Sequence, residues 1–523
     1  MAAASGSINK NANLVGVLTG LSRVFGLVRE MLTSRLIGSG VEQSAFVFAF
    51  TIPNLFRKLF GEGALSSAFI PVFKNEQEID GKSRAEAMAR AVSSMVTLLL
   101  SVICVLGLLG ICCALPYTET GGKANSVLRL TRIMLPYAVL ICVAAFAGGI
   151  LNSFGKFGKA AFAPALLNLV WIATLCGLYF FPELSKYERV RIVAWSVLIS
   201  GVMQLVYLVR AVHGCGISLR PTFSGWREEN VRLVWRNTFI GAVGMGAGQI
   251  NLMLDNFLAM WAAPWAPAAI SYAERIVYLP LGVVATAFAT VLLPSFTAHF
   301  AKNDHRGAAA TLVESAEDVL LFMMPAALGL MVLAPDITRV IYEGGNFLPE
   351  DSVNVSRALM CYAPGLLVFS VNKILTPWFY AKKDVTTPLR VGLWMVGANA
   401  FLNIVLVLTL PYEWKHAGIA GSTVICSAIS CIVLACKTRD NEGERVSFGS
   451  LAGPAVKYLV ASLLMCAAVL FFMRLAQPLV SAGGKRDIVA VGAAVLLGAV
   501  VYGVAVYRLC PEAVRRAAGR KRK

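Results

Sequence analysis

Residues 95–115 read MVTLLLSVICVLGLLGICCAL, an apolar run from Met95 to Leu115 without one charged side chain. A hydrocarbon core about 30 Å thick is crossed by roughly 20 such residues in helical form. Within a bilayer every backbone polar group has to be satisfied inside the segment, so a run of this length reads as a membrane-spanning helix. Similar runs recur to either side. Fourteen spans are expected, at 12–37, 43–73, 88–115, 126–151, 160–181, 190–212, 231–260, 267–298, 310–334, 355–380, 386–410, 417–436, 453–475 and 488–508. The fold class is therefore an all-α integral membrane protein. The whole chain agrees: of 523 residues 57% are hydrophobic and 15% charged, with a mean hydropathy of +0.69, whereas soluble domains carry about 25% charged residues.

The formal net charge of +18 raises the question of nucleic acid, and the placement of the charge answers it. With the N-terminus inside, one side of the membrane receives Lys74, Lys82, Arg84, Lys156, Lys159, Arg210, Arg220, Arg227, Lys302, Arg306, Lys382, Lys383, Lys437, Arg439, Arg445 and the tail Arg515 to Lys523. The opposite loops are poorer in cations and include the acidic stretch Glu343 to Asp351. This is the positive-inside pattern, which places both termini in the cytoplasm and assigns the basic tail to topology or anionic lipid, with no nucleic-acid partner. The segment from Met1 to Asn13 has neither the charged region nor the cleavage site of a signal peptide, so the first helix is expected to remain in the mature protein. The twelve cysteines form no C-x-x-C pair and read as small apolar residues. His213, His299, His305 and His416 fall at loop ends without metal spacing.

The chain also resembles itself. Ile150-Leu151-Asn152-Ser153-Phe154 aligns with Ile374-Leu375-Thr376-Pro377-Trp378 at an offset of about 224, and Ala64 to Phe73 aligns with Ala287 to Phe296 at about 223. Six expected helices separate the copies, and an even number preserves orientation, so the halves form a parallel repeat of the kind transporters use. The expected organisation is an N-terminal lobe at 1–212 and a connection at 213–230. A C-terminal lobe follows at 231–440, then two added helices with the basic tail at 441–523. Around Trp226, Val231, Leu233 and Val234 the connection reads as an interfacial amphipathic segment.

Several charges fall where lipid should be. The first helix contains Ser22-Arg23-Val24-Phe25-Gly26-Leu27-Val28-Arg29-Glu30, and the second Pro53-Asn54-Leu55-Phe56-Arg57-Lys58-Leu59-Phe60-Gly61-Glu62-Gly63. Glu274-Arg275 and Lys373 add charges in the second half. On insertion scales each central charge costs about 2.5–3.5 kcal/mol, so the set facing lipid would cost on the order of 10 kcal/mol or more. A water-filled cavity avoids that cost. Snorkelling suits Arg35 and Lys58, and pairing of Arg29 with Glu30 or of Arg275 with Glu274 is a structural reading that can coexist with function. An excess of arginine attracts anions, and guanidinium forks match phosphate oxygens, so the expected ligand carries a phosphate or pyrophosphate.

A second polar set comprises Asn251 and Asp255, Asn399 and Asn403, and Thr423. Oxygen ligands from three helices could hold a coupling sodium ion, and Asp255, Asn399, Asn403 and Thr423 are the candidate ligands. Interhelical hydrogen bonding is the competing reading. No nucleophile triad or nucleotide site is present, so the sequence is read as that of a transporter, not an enzyme. No cofactor is expected, and the energy would come from a sodium or proton gradient or from the membrane potential.

The run from Ser22 to Glu30, the Pro53-Asn54-Leu55-Phe56-Arg57 element, Gly61-Glu62-Gly63-Ala64 with Ala68-Phe69-Ile70-Pro71, and Tyr272-Ala273-Glu274-Arg275 strongly resemble the MurJ (MviN) family of lipid II flippases. Ile150-Leu151-Asn152 and Ala161-Phe162-Ala163-Pro164 fit as well. The resemblance implies a fourteen-helix fold of the multidrug/oligosaccharidyl-lipid/polysaccharide exporter superfamily, with two six-helix lobes and an added pair bordering a groove for a polyprenyl tail. By it Arg23, Arg29, Arg57 and Arg275 are cavity arginines, Asn54 and Glu62 are polar cavity positions, and Glu30 is the acidic neighbour of the second arginine. Ser22, Glu274 and Lys373 join Glu30 and Glu62 in gating or support. The chain departs from some members at Ser44 and Thr51, which touches gate contacts and leaves the substrate class intact. The implied activity is movement of lipid II, the undecaprenyl-pyrophosphate-linked peptidoglycan precursor, across the bacterial inner membrane. A polysaccharide repeat-unit flippase is the alternative. The expected partners are lipid II and membrane lipids, with the protein acting as a monomer.

Overall fold

A computed structural model describes residues 2–61, 64–439, 446–480 and 485–519. Every regular element among them is helical. The chain divides into two compact units, one of residues 1–257 with 345–347 and one of residues 258–344 with 348–523.

The first unit begins with α1 (Ala2–Ile37) and α2 (Val41–Phe56), followed by a π-helical turn at Arg57–Gly61 and α3 (Ala64–Ile79). Then come α4 (Gly81–Ala114), α5 (Lys123–Met134), α6 (Tyr137–Ser153), α7 (Phe157–Leu178) and α8 (Lys186–His213). Helix α9 (Glu229–Ala262) starts in this unit and ends in the other. The core is aromatic: Trp171 meets Phe46 and Phe50 edge-on at 5.1 and 5.8 Å, and Phe69 lies between Phe73 and Phe146. Helix α8 opens on a reciprocal cap, Glu188 N–H donating to Ser185 Oγ and Ser185 N–H to the Glu188 carboxylate. Further along it passes so close to α6 that a Cβ at Gly201 would stand 2.6 Å from the Tyr137 ring. The other side of α4 has the opposite character. Leu98, Leu99, Val102, Val105, Leu106 and Leu109 are 38–62% exposed, a contiguous apolar surface that in water would be a liability and in lipid is the expected exterior.

The connection after α8 does not lie free on a surface. Thr222 N–H donates to Ser94 Oγ at 2.8 Å, Ser218 N–H to Glu86 Oε1 at 3.2 Å and Arg90 Nε to the Arg220 carbonyl at 3.3 Å, all against α4. Val231 and Val234 are fully buried in the core of the unit, whereas Leu233 is 42% exposed. The amphipathic pattern at 226–234 thus contributes Val231 and Val234 to packing within the unit.

The second unit comprises α10 (Ala266–Ala301), α11 (His305–Val332), the short α12 (Ala334–Tyr342), α13 (Pro349–Tyr362), α14 (Gly365–Ala381), α15 (Thr386–Thr409), α16 (Lys415–Lys437), α17 (Ala452–Val480), α18 (Lys485–Leu509) and α19 (Pro511–Gly519). Helices α17 and α18 pack together, with α11 alongside α17. Tyr458 on α17 and Arg516 on α19 both donate to the Glu317 carboxylate on α11, and Tyr502 on α18 donates to the Leu321 carbonyl at 2.6 Å. Near the other end, Arg339 on α12 donates to Asp336 at 2.8 Å and stands 3.7 Å from the Asp487 carboxylate of α18. Burial there raises the Asp336 carboxyl above the usual carboxylate range, against the pull of Arg339.

Each expected span falls on a helix or a broken helix. Among the described residues eight helices are long and apolar enough to cross a membrane, and ten when each bent pair is taken as one span. The bent pairs carry the repeat: α5 and α6 meet at 41° before Pro136-Tyr137, and α13 and α14 meet at 42° before Pro364-Gly365. Those prolines lie 228 positions apart, as do the positive-φ residues Gly155 and Lys383 that follow α6 and α14. Helices α4 and α11 instead begin 224 positions apart. The gapless match of Ile150 to Ile374 is therefore displaced by four residues, about one helical turn, because the second copy is longer between these points.

Candidate functional site

The expected cavity residues of the first unit sit on two unlike stretches of helix. On α1, Arg29 is only 6% exposed and turned toward α7. Its Nη2 donates to Glu30 Oε1 at 2.5 Å and its Nη1 to Asn168 Oδ1 at 3.0 Å. The Trp171 ring lies against the same guanidinium, 4.4 Å from Cζ to the ring centroid. Asn168 also donates through Nδ2 to the Ser22 carbonyl at 3.0 Å. The ion pair cancels formally, so the positive character of this stretch comes from Arg23. That side chain is half-buried, and no hydrogen bond or ion pair engages it among the described residues.

The second stretch is the end of α2. Pro53 has no N–H to give the Ala49 carbonyl, which weakens the helix one turn before Arg57. The chain then winds into the π-helical turn Arg57–Gly61, which holds one residue more per turn bond than an α-helix. Such turns need local support. Here Arg57 Nε donates to Asn54 Oδ1 at 3.2 Å, so the i+3 pair seen in the sequence is formed. Thr51, one of the departures from some family members, donates to the Val47 carbonyl at 2.8 Å and accepts from Asn256 Nδ2 at 3.4 Å. Glu62 lies outside the described residues.

In the second unit, Tyr272 and Ala273 are buried, and the Tyr342 hydroxyl donates to the Tyr272 carbonyl at 3.0 Å. That anchors one face of α10, and the following residues turn outward: Glu274 is half-buried and Arg275 exposed. Lys373 is half-buried on α14, beside Asn372, whose Nδ2 donates to the Ser427 carbonyl at 3.0 Å.

Of the possible sodium ligands, Asp255 belongs to the first unit and Asn399, Asn403 and Thr423 to the second. Asn251 Nδ2 donates to Asp255 Oδ2 at 3.1 Å. Asn403 Nδ2 donates to Asn399 Oδ1 at 3.0 Å, Asn399 Nδ2 reaches Ser422 Oγ at 3.2 Å and Thr423 Oγ1 at 3.5 Å, and Ser422 in turn donates to Asn403 Oδ1. Asn399, Asn403 and Ser422 are all buried, and together they make a closed hydrogen-bonded ring between α15 and α16. Among the described residues no group of three or more His, Cys, Asp or Glu side chains is placed to hold a metal ion.

Asn168, Trp171 and Ser422 were not singled out in the sequence. An amide within the apolar run of α7 was the available signal for Asn168, since such a group in a spanning helix has to find a partner on another helix.

Comparison with known proteins places this arrangement. The model of the lipid II flippase MurJ family matches residues 33–483. The probable lipid II flippase MurJ of Rhizobium tropici is 34% identical over 483 residues, covering 91% of this chain and 89% of the relative. The corresponding protein of Rickettsia prowazekii is 33% identical over 420 residues, covering 79% and 80%. A solved structure of a lipid II flippase MurJ in an inward closed conformation superimposes with a TM-score of 0.76 at 21% identity, over 96% of this chain and all of that one. An inward-facing multidrug transporter of the MATE family, MOP superfamily, gives a TM-score of 0.66 at 15% identity over 81% of this chain and 96% of its own. The two structural likenesses are likenesses of fold. The family match over most of the length and the relatives above 30% identity go further: this chain belongs to the MurJ family of lipid II flippases.

Proposed function

We propose that the protein is the lipid II flippase of a bacterial inner membrane, a multi-pass transporter and not an enzyme, carrying its substrate from the cytoplasmic to the periplasmic leaflet by alternating access. Family membership over residues 33–483 supports the substrate. The observation that carries the mechanism is Arg23, a half-buried cation in an apolar helix with no protein partner among the described residues. A pyrophosphate would supply the missing counter-charge. Arg57, steadied by Asn54, is the second such contact in the first unit, and Arg275, exposed on α10, is a further candidate by family resemblance. Ser22, Glu30, Glu62, Glu274 and Lys373 act in support. The distribution of Lys and Arg among the loops supports cytoplasmic termini. Drive by a cation gradient or the membrane potential is consistent with a chain that has no nucleotide-binding motif.

Charge reversal tests the reading. Arg23→Glu, expressed in a strain depleted of its own flippase, is expected to leave lipid II inaccessible at the outer face although the protein reaches the membrane. Full rescue by that variant would remove the pyrophosphate role of Arg23.

A further inference from the structure

Arg29 was expected to meet substrate, yet its guanidinium is enclosed by its own protein. We propose that Arg29 and Asn168 form a positioning clamp that sets the rotation of α1 and so aims Arg23. The inference rests on the reading of Arg23 as a pyrophosphate contact.

The geometry of α1 makes the clamp possible. Ser22 and Arg29 are seven residues apart, about two turns, and lie within roughly 20° of one another around the helix. Carbonyls point toward the C-terminus, while a long side chain leans back toward the N-terminus. The Ser22 carbonyl and the Arg29 guanidinium therefore approach each other along one face, and Asn168 of α7 closes the gap. Its Nδ2 donates to the Ser22 carbonyl at 3.0 Å, with Ser22 Oγ at 3.4 Å, while Oδ1 accepts from Arg29 Nη1 at 3.0 Å. The amide has one workable orientation, because a carbonyl only accepts and a guanidinium only donates. Asn168 is 7% exposed. Trp171, one turn on, covers the guanidinium from the same helix. Two points of α1 are thus tied to one side chain of α7.

Arg23 sits inside that tied segment but about 120° around from Arg29. It follows directly on Ser22, whose carbonyl is one of the fixed points. A side-chain tip about 6 Å from the helix axis moves roughly 3 Å when the helix rolls by 30°, and displacements near 1 Å at a reacting or binding group are already felt strongly. Holding the roll of α1 is therefore a way to hold Arg23. Glu30 neutralises Arg29, so the clamp adds no net charge of its own to compete for the anion.

The test measures lipid II binding to the purified full-length protein in nanodiscs for the parent, Asn168→Leu, Asn168→Asp, Arg23→Gln and the combination of Asn168→Leu with Arg23→Gln, with thermal unfolding recorded for each. Asn168→Leu is expected to weaken binding roughly tenfold, and Asn168→Asp, which keeps an acceptor for Arg29 but loses the donor to Ser22, by a smaller factor. In the Arg23→Gln background Asn168→Leu is expected to cause no further loss. A role confined to stability would weaken binding by the same factor in both backgrounds, and that result overturns the proposal. So does parent-like binding by Asn168→Asp and Asn168→Leu. If Asn168→Leu does not fold, Asn168→Asp carries the comparison. Should Arg23→Gln itself bind as tightly as the parent, the pyrophosphate reading fails first, a result distinguishable from failure of the clamp alone.

Discussion

Removing the carboxylate of Glu30 isolates the energetics of the buried ion pair. Arg29 and Glu30 are 6% and 8% exposed and 2.5 Å apart, so Glu30→Leu takes this carboxylate from a desolvated guanidinium. Loss of one partner of a buried pair costs about 3–5 kcal/mol. The Asn168 acceptor and the Trp171 face add no new compensation, since both are already engaged with Arg29 in the parent. Arg29→Leu takes the paired cation from Glu30 instead and is expected to cost a similar amount. The double variant Arg29→Leu/Glu30→Leu removes both charges, and replacing a buried pair by apolar residues is often neutral or stabilising by about 1–4 kcal/mol. Against this stands the lost acceptor role of Asn168, about 1–3 kcal/mol for an amide left unsatisfied. The double variant should therefore lie within about 2 kcal/mol of the parent, although the single losses sum to roughly 6–10 kcal/mol. Thermal unfolding of the purified protein, followed by tryptophan fluorescence, reads the difference, each single variant melting several degrees or more below the parent. A double variant destabilised by the sum of the singles would refute the reasoning, because it would mean the two side chains stabilise the fold independently.

Gly201→Ala is expected to destabilise the first unit by about 1–3 kcal/mol through collision with Tyr137. Gly177→Ala, where nothing lies within 4 Å, should instead leave the melting temperature unchanged or raise it. Asp336 offers a pH test. Its carboxyl is raised by burial, so the stabilisation of its protonated form is complete below the unfolded-state value and disappears as pH climbs through the raised folded value. Melting temperatures taken from pH 3.5 to 8 should show that decline in the parent and a flatter profile in Asp336→Asn; parallel profiles would exclude the assignment. Asn403→Leu breaks the polar ring between α15 and α16 and should cost about 1–3 kcal/mol equally in sodium and potassium media. A cost that appears only in sodium would favour the reading of Asn399, Asn403 and Thr423 as cation ligands.

Hydropathy made the helices legible, because lipid rewards apolar length and little else. The interruptions were harder to see. The breaks at Pro136 and Pro364 sit inside continuous apolar runs, and only the folded chain shows that they bend by the same amount. Register suffered for the same reason: a small alphabet of Leu, Ile and Phe lets a match slip by one helical turn without apparent penalty. Among the site residues, Arg23, Arg29 and Arg57 were conspicuous because charge in an apolar helix has to be accounted for. Sequence carried the charge but not its bookkeeping across helices, which is why the enclosure of Arg29 by Asn168 and Trp171 went unread. Asn399 and Asn403 illustrate the opposite limit, where i, i+4 amides suit a ligand set and a hydrogen-bonded ring equally well, and Ser422, which joins the ring, carried no signal of its own.

The binding of residues 218–234 to α4 and to the first core bears on how the protein is made. Ser218, Arg220 and Thr222 find their partners on a helix synthesised more than a hundred residues earlier, and Val231 and Val234 enter a core whose other buried members, from Ile37 to Ile217, all precede them. As the nascent chain emerges, the leading half can thus seal its own open edge while the trailing half is still on the ribosome. Domains that mature in order of synthesis expose less unfinished surface to their later neighbours. In a protein built from two related halves, an early seal of this kind keeps helices of one copy from being exchanged for their counterparts in the other.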